Sequence, residues 1–300
     1  MSQKPANVLN MNSILSAAER GGYAVGAFSP RYTAMIAPIL QAGQALNSPL
    51  IVIIAEKEFE WYEITPRQFA DEFFKQVRAQ NITVPVALHL DHTSNFPFIQ
   101  EAIAAGFTSV MIDASAKSFA ENIAESKEVV DYAQPFGVSV EAELGRITTT
   151  DYVESDNDEE LYTDPQEAGQ FVRETGIDAL AVSVGTAHGV YVVRQPTIDY
   201  DRLRAIRSET PVHLVLHGGS GVPAEMVKKA IRLPDGGVSK VNIATDLELA
   251  AFAALNRDTR MTSAAMDALP EADRLRAIAA VRQVVEDKIQ HFLNSDGQAR

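Results

Sequence analysis

Most of this 300-residue chain alternates between two patterns. Short apolar runs bounded by Gly, Pro or Asp are separated by longer stretches whose apolar residues recur at helical spacing. The runs predict strands at 23–28, 50–55, 84–90, 109–113, 138–143, 179–184, 212–216 and 238–243. The stretches between and after them predict helices near 33–46, 66–79, 95–105, 119–135, 165–175, 200–208, 223–231 and 246–256. Eight strands, each followed by a helix, is the pattern of a TIM (β/α)8 barrel. A doubly wound open sheet would more often show about six strands and a glycine fingerprint after the first, and no GxGxxG follows YAVGAF here.

Two helical segments fall outside the repeat, an N-terminal one at 11–19 and a C-terminal one at 273–292 behind Pro270. The simplest organisation is a single barrel domain over 1–300, with a core at about 20–256 and a helical tail at 257–300. An amphipathic tail helix that the barrel does not need is expected to pack on a neighbouring subunit. A homodimer or homotetramer is therefore anticipated.

Composition narrows the class. The chain is 46% hydrophobic and 22% charged, and no apolar stretch approaches the roughly 18 residues of a membrane span. The start, MSQKPANVLNMNS, has neither an apolar export core nor an arginine-rich amphipathic pattern, so a cytoplasmic protein is expected. A net charge of -14 disfavours a nucleic-acid partner, because phosphate backbones require clustered Lys and Arg. Six of the acids fall between Asp151 and Glu160, a run that reads as a solvated loop. With no cysteine in the chain, any metal site must use nitrogen and oxygen.

In a TIM barrel the chemistry gathers at the C-terminal ends of the strands. The third predicted strand leads into His89, Asp91 and His92, the fourth into Asp113, and the fifth into Glu141 and Glu143. The sixth runs out toward His188, the seventh ends in His217 and the eighth in Asn242. His92, His188 and His217 each follow an apolar run and adjoin a carboxylate or a glycine, in LHLDHT, SVGTAHG and LVLHGGSG. Three imidazoles with one open position describe a catalytic divalent-metal site, hence a metal-dependent lyase or hydrolase. His89 shares the strand parity of Asp91 and is read as its hydrogen-bonding support. His213, at the opposite end of its strand, and His291, in the tail, are read as structural or exposed.

Glycines suggest a second feature. Gly189 after His188, and Gly218, Gly219 and Gly221 around Ser220, let backbone N–H groups approach an anion. A helix starting near Pro223 would point its positive end toward the same place. Asn242 and Thr245 could complete such a phosphate cradle.

These residues resemble the class II, zinc-dependent ketose-bisphosphate aldolases, the family of the fructose- and tagatose-bisphosphate enzymes. The resemblance runs from about residue 11 to 253, through YAVGAF, VALHLDH, GFTSVMIDAS, GVSVEAELG, TGIDALAVSVGTAHGVY, LVLHGGSG and KVNIATDL. The NIAT and GTAHG wording lies closer to the tagatose branch. The resemblance implies His92, His188 and His217 as zinc ligands, with Glu143 and Asp113 as ligands of an alternative, inward metal position. It implies Asp91 as the acid that handles the proton on the cleaved carbinol oxygen. It also implies contacts from Gly189, Gly218, Ser220, Asn242 and Thr245 to the phosphate of dihydroxyacetone phosphate, with a monovalent cation, Na+ or K+, beside it. The activity so implied is reversible retro-aldol cleavage of a ketose (bis)phosphate, in carbohydrate metabolism and glycolysis, through a zinc-stabilised ene-diolate. A metal supplies the electron sink that a Schiff-base lysine supplies elsewhere.

Three segments depart from the family pattern, all on the half of the site that would face the aldehyde rather than the phosphate of the donor. Where relatives have a glycine pair and acids after ELG, this chain reads ELGRITTTDYVESDNDEE, so the proton-transfer residue of the loop is Asp151 or Glu154. Thr148 and Thr149 in place of the glycines are expected to stiffen the hinge. At the end of the first strand an asparagine-rich stretch is replaced by FSPRY, with Ser29 and Arg31, and at the end of the second AEKEFEW brings Glu56 and Lys57. The tail also lacks the aspartate-proline-arginine segment that serves a distal phosphate. These changes point to retained dihydroxyacetone-phosphate chemistry with a different aldehyde partner, with an acidic or unphosphorylated far end. Two alternatives stay open: a metal hydrolase on the same barrel, which would ordinarily carry an HxH pair absent from YAVGAF, and a non-catalytic aldolase-like subunit.

Overall fold

Ten strands order the computed structural model, which describes residues 4–147, 152–153, 161–191 and 195–299. They are β1 (Val25–Phe28), β2 (Leu50–Ala55), β3 (Val86–Thr93), β4 (Ser109–Ile112), β5 (Ser139–Leu144), β6 (Tyr152–Val153), β7 (Ala179–Val182), β8 (Val190–Tyr191), β9 (His213–Leu216) and β10 (Val238–Ile243). Eight of them close into a barrel in the order β1-β10-β9-β7-β5-β4-β3-β2, every pairing parallel. The short strands β6 and β8 pair only with each other. All residues of β2, β5, β7, β9 and β10 are buried, because helices cover the outside and side chains fill the inside. Burial on both faces is why these strands read as continuous apolar runs rather than alternations.

The two faces differ in what they bury. Ala27, Ile51, Ile53, Ala87, Met111, Ala179, Ala181 and Val215 form an inner cluster with Met11, Ile14, Leu15 and Ala18 of the helix Met11–Gly21. This N-terminal helix therefore plugs the lower end of the barrel. Asn10 caps its start by accepting from Ser13 N–H, and Gly22 ends it at φ 67, a left-handed turn that glycine adopts without strain. His213 fastens the plug: its Nε2 lies 2.9 Å from Asn12 Oδ1 and its Nδ1 2.9 Å from Glu19 Oε1. Above the plug, strand parity points His89, Asp91, Glu141, Glu143, Lys240, Asn242 and His217 into the barrel, continuing the interior as a polar upper layer.

The outer helices start where local chemistry satisfies their free N–H groups. Thr65 with Gln68, and Ser118 with Glu121, form capping boxes, while Asp164 and Asp199 cap the helices Pro165–Thr175 and Tyr200–Glu209.

The structure departs from the sequence expectations in three places. AEKEFEW holds a helix that the sequence did not suggest: after Ala55 the chain turns at once into the helix Glu56–Trp61, whose Glu58 side chain accepts from Ala55 N–H at 3.0 Å. The third strand does not stop at Leu90 but runs to Thr93, with a register shift against β4 between Leu90 and Thr93. The C-terminal helix Glu271–His291 buries Ala277, Val281, Val285 and Ile289 within its own chain, packing on the helices Ile36–Ala45 and Thr245–Leu255. Ala24 N–H donates to Leu293 O at 3.1 Å, tying the segment after that helix back to the approach to β1. The apolar stripe expected to meet a neighbouring subunit thus completes the barrel's own outer layer. Among the described residues no helix is long and apolar enough to cross a membrane.

Candidate active site and metal centre

His92 does not have the parity of a residue that faces the barrel axis, since Asp91 beside it already points inward. The irregular register at the end of β3 resolves this: His92 takes φ 32 and its N–H is turned toward Met111 Sδ at 3.4 Å. Bulges of this kind re-aim a side chain, and a left-handed φ outside glycine is a strain the surroundings must hold. As a result consecutive residues, Asp91 and His92, both serve the barrel mouth.

His217 and His188 arrive from other strands. His217 directly follows β9, and His188 sits in the loop between β7 and β8. The three rings meet with centroids 4.7 Å apart for His92 and His188, 4.6 Å for His92 and His217, and 5.4 Å for His188 and His217. Gly218 makes this approach possible: at φ 64, a Cβ on it would stand 2.3 Å from Ala187 O, the residue before His188. The glycine-rich turn is thus a close packing of two histidine-bearing loops.

The hydrogen bonds around the rings fix their orientation. His92 Nδ1 lies 2.9 Å from Asp113 Oδ2, and His217 Nε2 lies 2.8 Å from Glu141 Oε1. If each of these nitrogens donates to its carboxylate, the other nitrogen of each ring presents a lone pair. Those two nitrogens, His92 Nε2 and His217 Nδ1, face each other at 2.8 Å, and His188 Nε2 is buried without a partner among the described residues. Three nitrogen acceptors converging with no donor between them fit a divalent cation. The ligand atoms of His92, Asp113 and Glu143 form a second group within the same 4.8 Å spread, so both carboxylates stand where an inward ion could reach them.

Burial and charge set the protonation states. Burial raises the Glu143 carboxyl, and the neighbouring Asp113 adds to this, bringing it up to about 8. Glu141 is equally buried, yet Lys240 at 2.6 Å, with His217 and His89, brings it down to about 2. Lys240 and Glu141 are both fully buried, and the lysine therefore keeps the carboxylate beneath His217 charged. Burial also opposes ionisation of Asp91, but His92, His89, His217 and Lys240 outweigh it and hold the carboxyl well below its usual range. Asn242 Nδ2 donates to Asp91 Oδ1 at 3.0 Å, and His89 Nε2 lies 3.7 Å from the same oxygen. Asp91 is thus an ionised carboxylate fixed beside the three imidazoles.

One cavity of about 880 Å³ joins these groups to the rest of the mouth. On one side it is lined by Gly189, Gly218, Ser220, Asn242 and Thr245, the residues expected to cradle a phosphate. Gly189 has φ 101, and Ser220 Oγ accepts from Ala244 N–H at 3.3 Å and Asp246 N–H at 3.1 Å, capping the helix Thr245–Leu255. The Ser220 hydroxyl proton stays available to an anion at that helix start. On the other side stand Ser29, Arg31 and Lys57, and with them Glu58, Trp61, Glu248 and Arg260. Glu56 does not line this cavity. It lines a smaller adjoining pocket and accepts from Thr93 Oγ1 at 2.5 Å. Asp151 and Glu154 lie outside the described residues, but the two residues between them form β6, which pairs with Val190 and Tyr191 just after His188 and Gly189.

Sequence reasoning missed Glu58, Glu248, Arg260 and Lys240. Lys240 carried one usable signal, since it shares inward parity with Asn242. The others meet only through the fold.

Three comparisons bear on this site. Residues 9–298 match the family model for fructose-bisphosphate aldolase class-II. The chain is 38% identical over 296 residues to the fructose-bisphosphate aldolase of Staphylococcus aureus (strain Mu50), covering 96% of this chain and 98% of that one. Among solved structures, the YdjI aldolase from Escherichia coli K12 superposes with a TM-score of 0.82 at 32% identity, covering 98% of this chain and 100% of that one. Fructose-bisphosphate aldolase from Campylobacter jejuni, at 23% identity, TM-score 0.76 and coverage of 96% and 97%, speaks to the fold alone.

Proposed function

The chain belongs to the class II fructose-bisphosphate aldolase family and is a metal-dependent carbon–carbon lyase; we propose that its metal is zinc, held by His92, His188 and His217. The observation that carries this reading is the convergence of three buried imidazoles, two of them oriented by carboxylates, beside an ionised Asp91. When bound, the metal supplies a Lewis acid that draws electron density from the ketone of the donor half.

The residues divide the remaining work. Gly189, Gly218, Ser220 and Thr245 hold the donor phosphate at the start of the helix Thr245–Leu255, which fixes the reacting carbons relative to the imidazoles. Asp91, ionised and steadied by Asn242 and His89, takes the proton from the hydroxyl on the carbon released as aldehyde, and returns it in the condensation direction. Glu141 and Lys240 hold His217 in the tautomer that presents Nδ1. The proton at the donor carbon is exchanged by Asp151 or Glu154, a choice that the pairing of β6 beside His188 supports without separating the two. The aldehyde half differs from the bisphosphate pattern, as the replacement of an asparagine-rich stretch by Ser29 and Arg31 suggests.

A retro-aldol screen of ketose phosphates with metal-replete enzyme, following release of dihydroxyacetone phosphate, tests the reading. Release that is lost in Asp91→Ala supports it. Firm metal binding with no product from any ketose would favour the non-catalytic alternative instead.

A further inference from the structure

The three imidazoles are not held alike. Asp113 orients His92 and Glu141 orients His217, whereas His188 Nε2 is buried without a partner and no hydrogen bond reaches the His188 ring among the described residues. A histidine that binds metal ordinarily has its second nitrogen fixed by a carboxylate, a carbonyl or water. Here the backbone beside the histidine is held instead. The phenol of Tyr191 accepts from Ala187 N–H at 2.9 Å and donates to Ala187 O at 3.3 Å, so both polar groups of the residue before His188 close on one hydroxyl. On its other side that carbonyl meets Gly218, where a Cβ would stand 2.3 Å from Ala187 O. Thr186 Oγ1 donates to His217 O at 2.8 Å and joins the two histidine loops independently of Tyr191. The Tyr191 ring lies against the phosphate cradle, since a Cβ on Gly221 would stand 3.3 Å from its Cδ2. Its backbone, in β8, is the register partner of Val153 in β6.

We propose that Tyr191 is the positioning residue of His188: its hydroxyl does for that imidazole, through Ala187, what Asp113 and Glu141 do for the other two, while its ring props the glycine turn that cradles the donor phosphate. The proposal rests on the aldolase reading above and adds a residue to it. The two halves of the side chain do separable work. Ala187 C=O lies in the same rigid peptide plane as His188 Cα, so a phenol that fixes the carbonyl fixes where the imidazole starts. A displacement of about 1 Å in a positioned group costs up to about 10²-fold in rate. The ring instead touches Gly221, next to Ser220, and so bears on where the phosphate sits. A residue that only filled space would couple neither hydrogen bond to the metal ligands.

The test compares Tyr191→Phe, which removes the hydroxyl and keeps the ring, with Tyr191→Leu, which removes both. Zinc affinity is read by chelator competition, and coordination geometry by the visible absorption of the cobalt(II)-loaded protein. Turnover at saturating zinc is read as deuterium exchange into dihydroxyacetone phosphate, which needs no aldehyde. Tyr191→Phe is expected to bind zinc about tenfold more weakly, to change the cobalt(II) spectrum and to lower kcat about tenfold or more. Its KM for dihydroxyacetone phosphate is expected to stay within about twofold of the wild type, whereas Tyr191→Leu raises that KM about tenfold as well. The Thr186 tether remains in both variants, so metal-free Tyr191→Phe is expected to melt within about 4 °C of the wild type. Unchanged zinc affinity and an unchanged cobalt(II) spectrum in Tyr191→Phe overturn the proposal. A KM that rises equally in the two variants overturns it too, because the phenol would then belong to the phosphate site. Loss of folding in both variants does the same, because Tyr191 would then serve the fold and not the site. No exchange by the wild type counts against the aldolase reading alone, and zinc affinity with the cobalt(II) spectrum still decides Tyr191.

Discussion

Replacing Asp91 by Asn preserves the side chain's shape and removes its base. Retro-aldol turnover is predicted to fall about 10²- to 10⁴-fold, with metal content by elemental analysis unchanged, because Asp91 is not among the three converging imidazoles. Glu141→Gln makes the opposite prediction. It removes the carboxylate that orients His217 and leaves Lys240 buried without its partner, so metal affinity should fall about 10- to 100-fold in a chelator competition. Of these residues the histidines and Asp91 were legible in the sequence, because each closes an apolar run. The Glu141–Lys240 pair was only half legible. Strand parity points both inward, but their meeting across 99 residues needs the barrel to close.

At the scale of elements, the loops after β7 and β9 lean on each other through one glycine. Gly218→Ala would place a methyl against Ala187 O and demand a left-handed alanine, a strain of about 1–3 kcal/mol. The expected result is a lower melting temperature together with weaker metal binding, since both histidine loops move. The helices Glu56–Trp61 and Thr245–Leu255 are joined by the Arg31, Glu58, Glu248 and Arg260 cluster. Burial opposes the charge on Glu248, but Arg260, Arg31 and Tyr62 outweigh it and lower the carboxyl below its ordinary 4.5. A lowered folded value means that this contribution is present above about pH 4.5 and is lost as pH falls further. Glu248→Gln should therefore flatten the acid limb of the stability-against-pH curve measured by denaturant titration. Of this cluster only Arg31 stood out beforehand, in FSPRY, and its partners did not. EKEFEW is too short and too charged to show helical periodicity, and a charged side chain in sequence is normally a solvated one.

At the scale of the whole molecule, the closed parallel sheet was the most legible feature, since strands buried on both faces must be apolar throughout. The N-terminal plug and the tail helix were visible as helices, but not for their roles. An amphipathic stripe records that a face is buried and not against what, so the tail's use within its own barrel emerged only from the packing. Metal binding couples this architecture to stability, because the converging imidazoles exist only when the barrel is closed. Saturating zinc at about a hundred times its dissociation constant is predicted to stabilise the fold by about 2.7 kcal/mol, read as a rise in melting temperature that chelator reverses.

The most direct test of the account is a titration of zinc into chelator-stripped protein while dihydroxyacetone phosphate release from a ketose phosphate is followed. Activity should start near zero and rise linearly to a plateau at about one equivalent per chain, the stoichiometry of a single three-histidine site. His217→Ala should abolish both the rise and the endpoint. Full activity in the stripped protein, or in His217→Ala, would contradict the account.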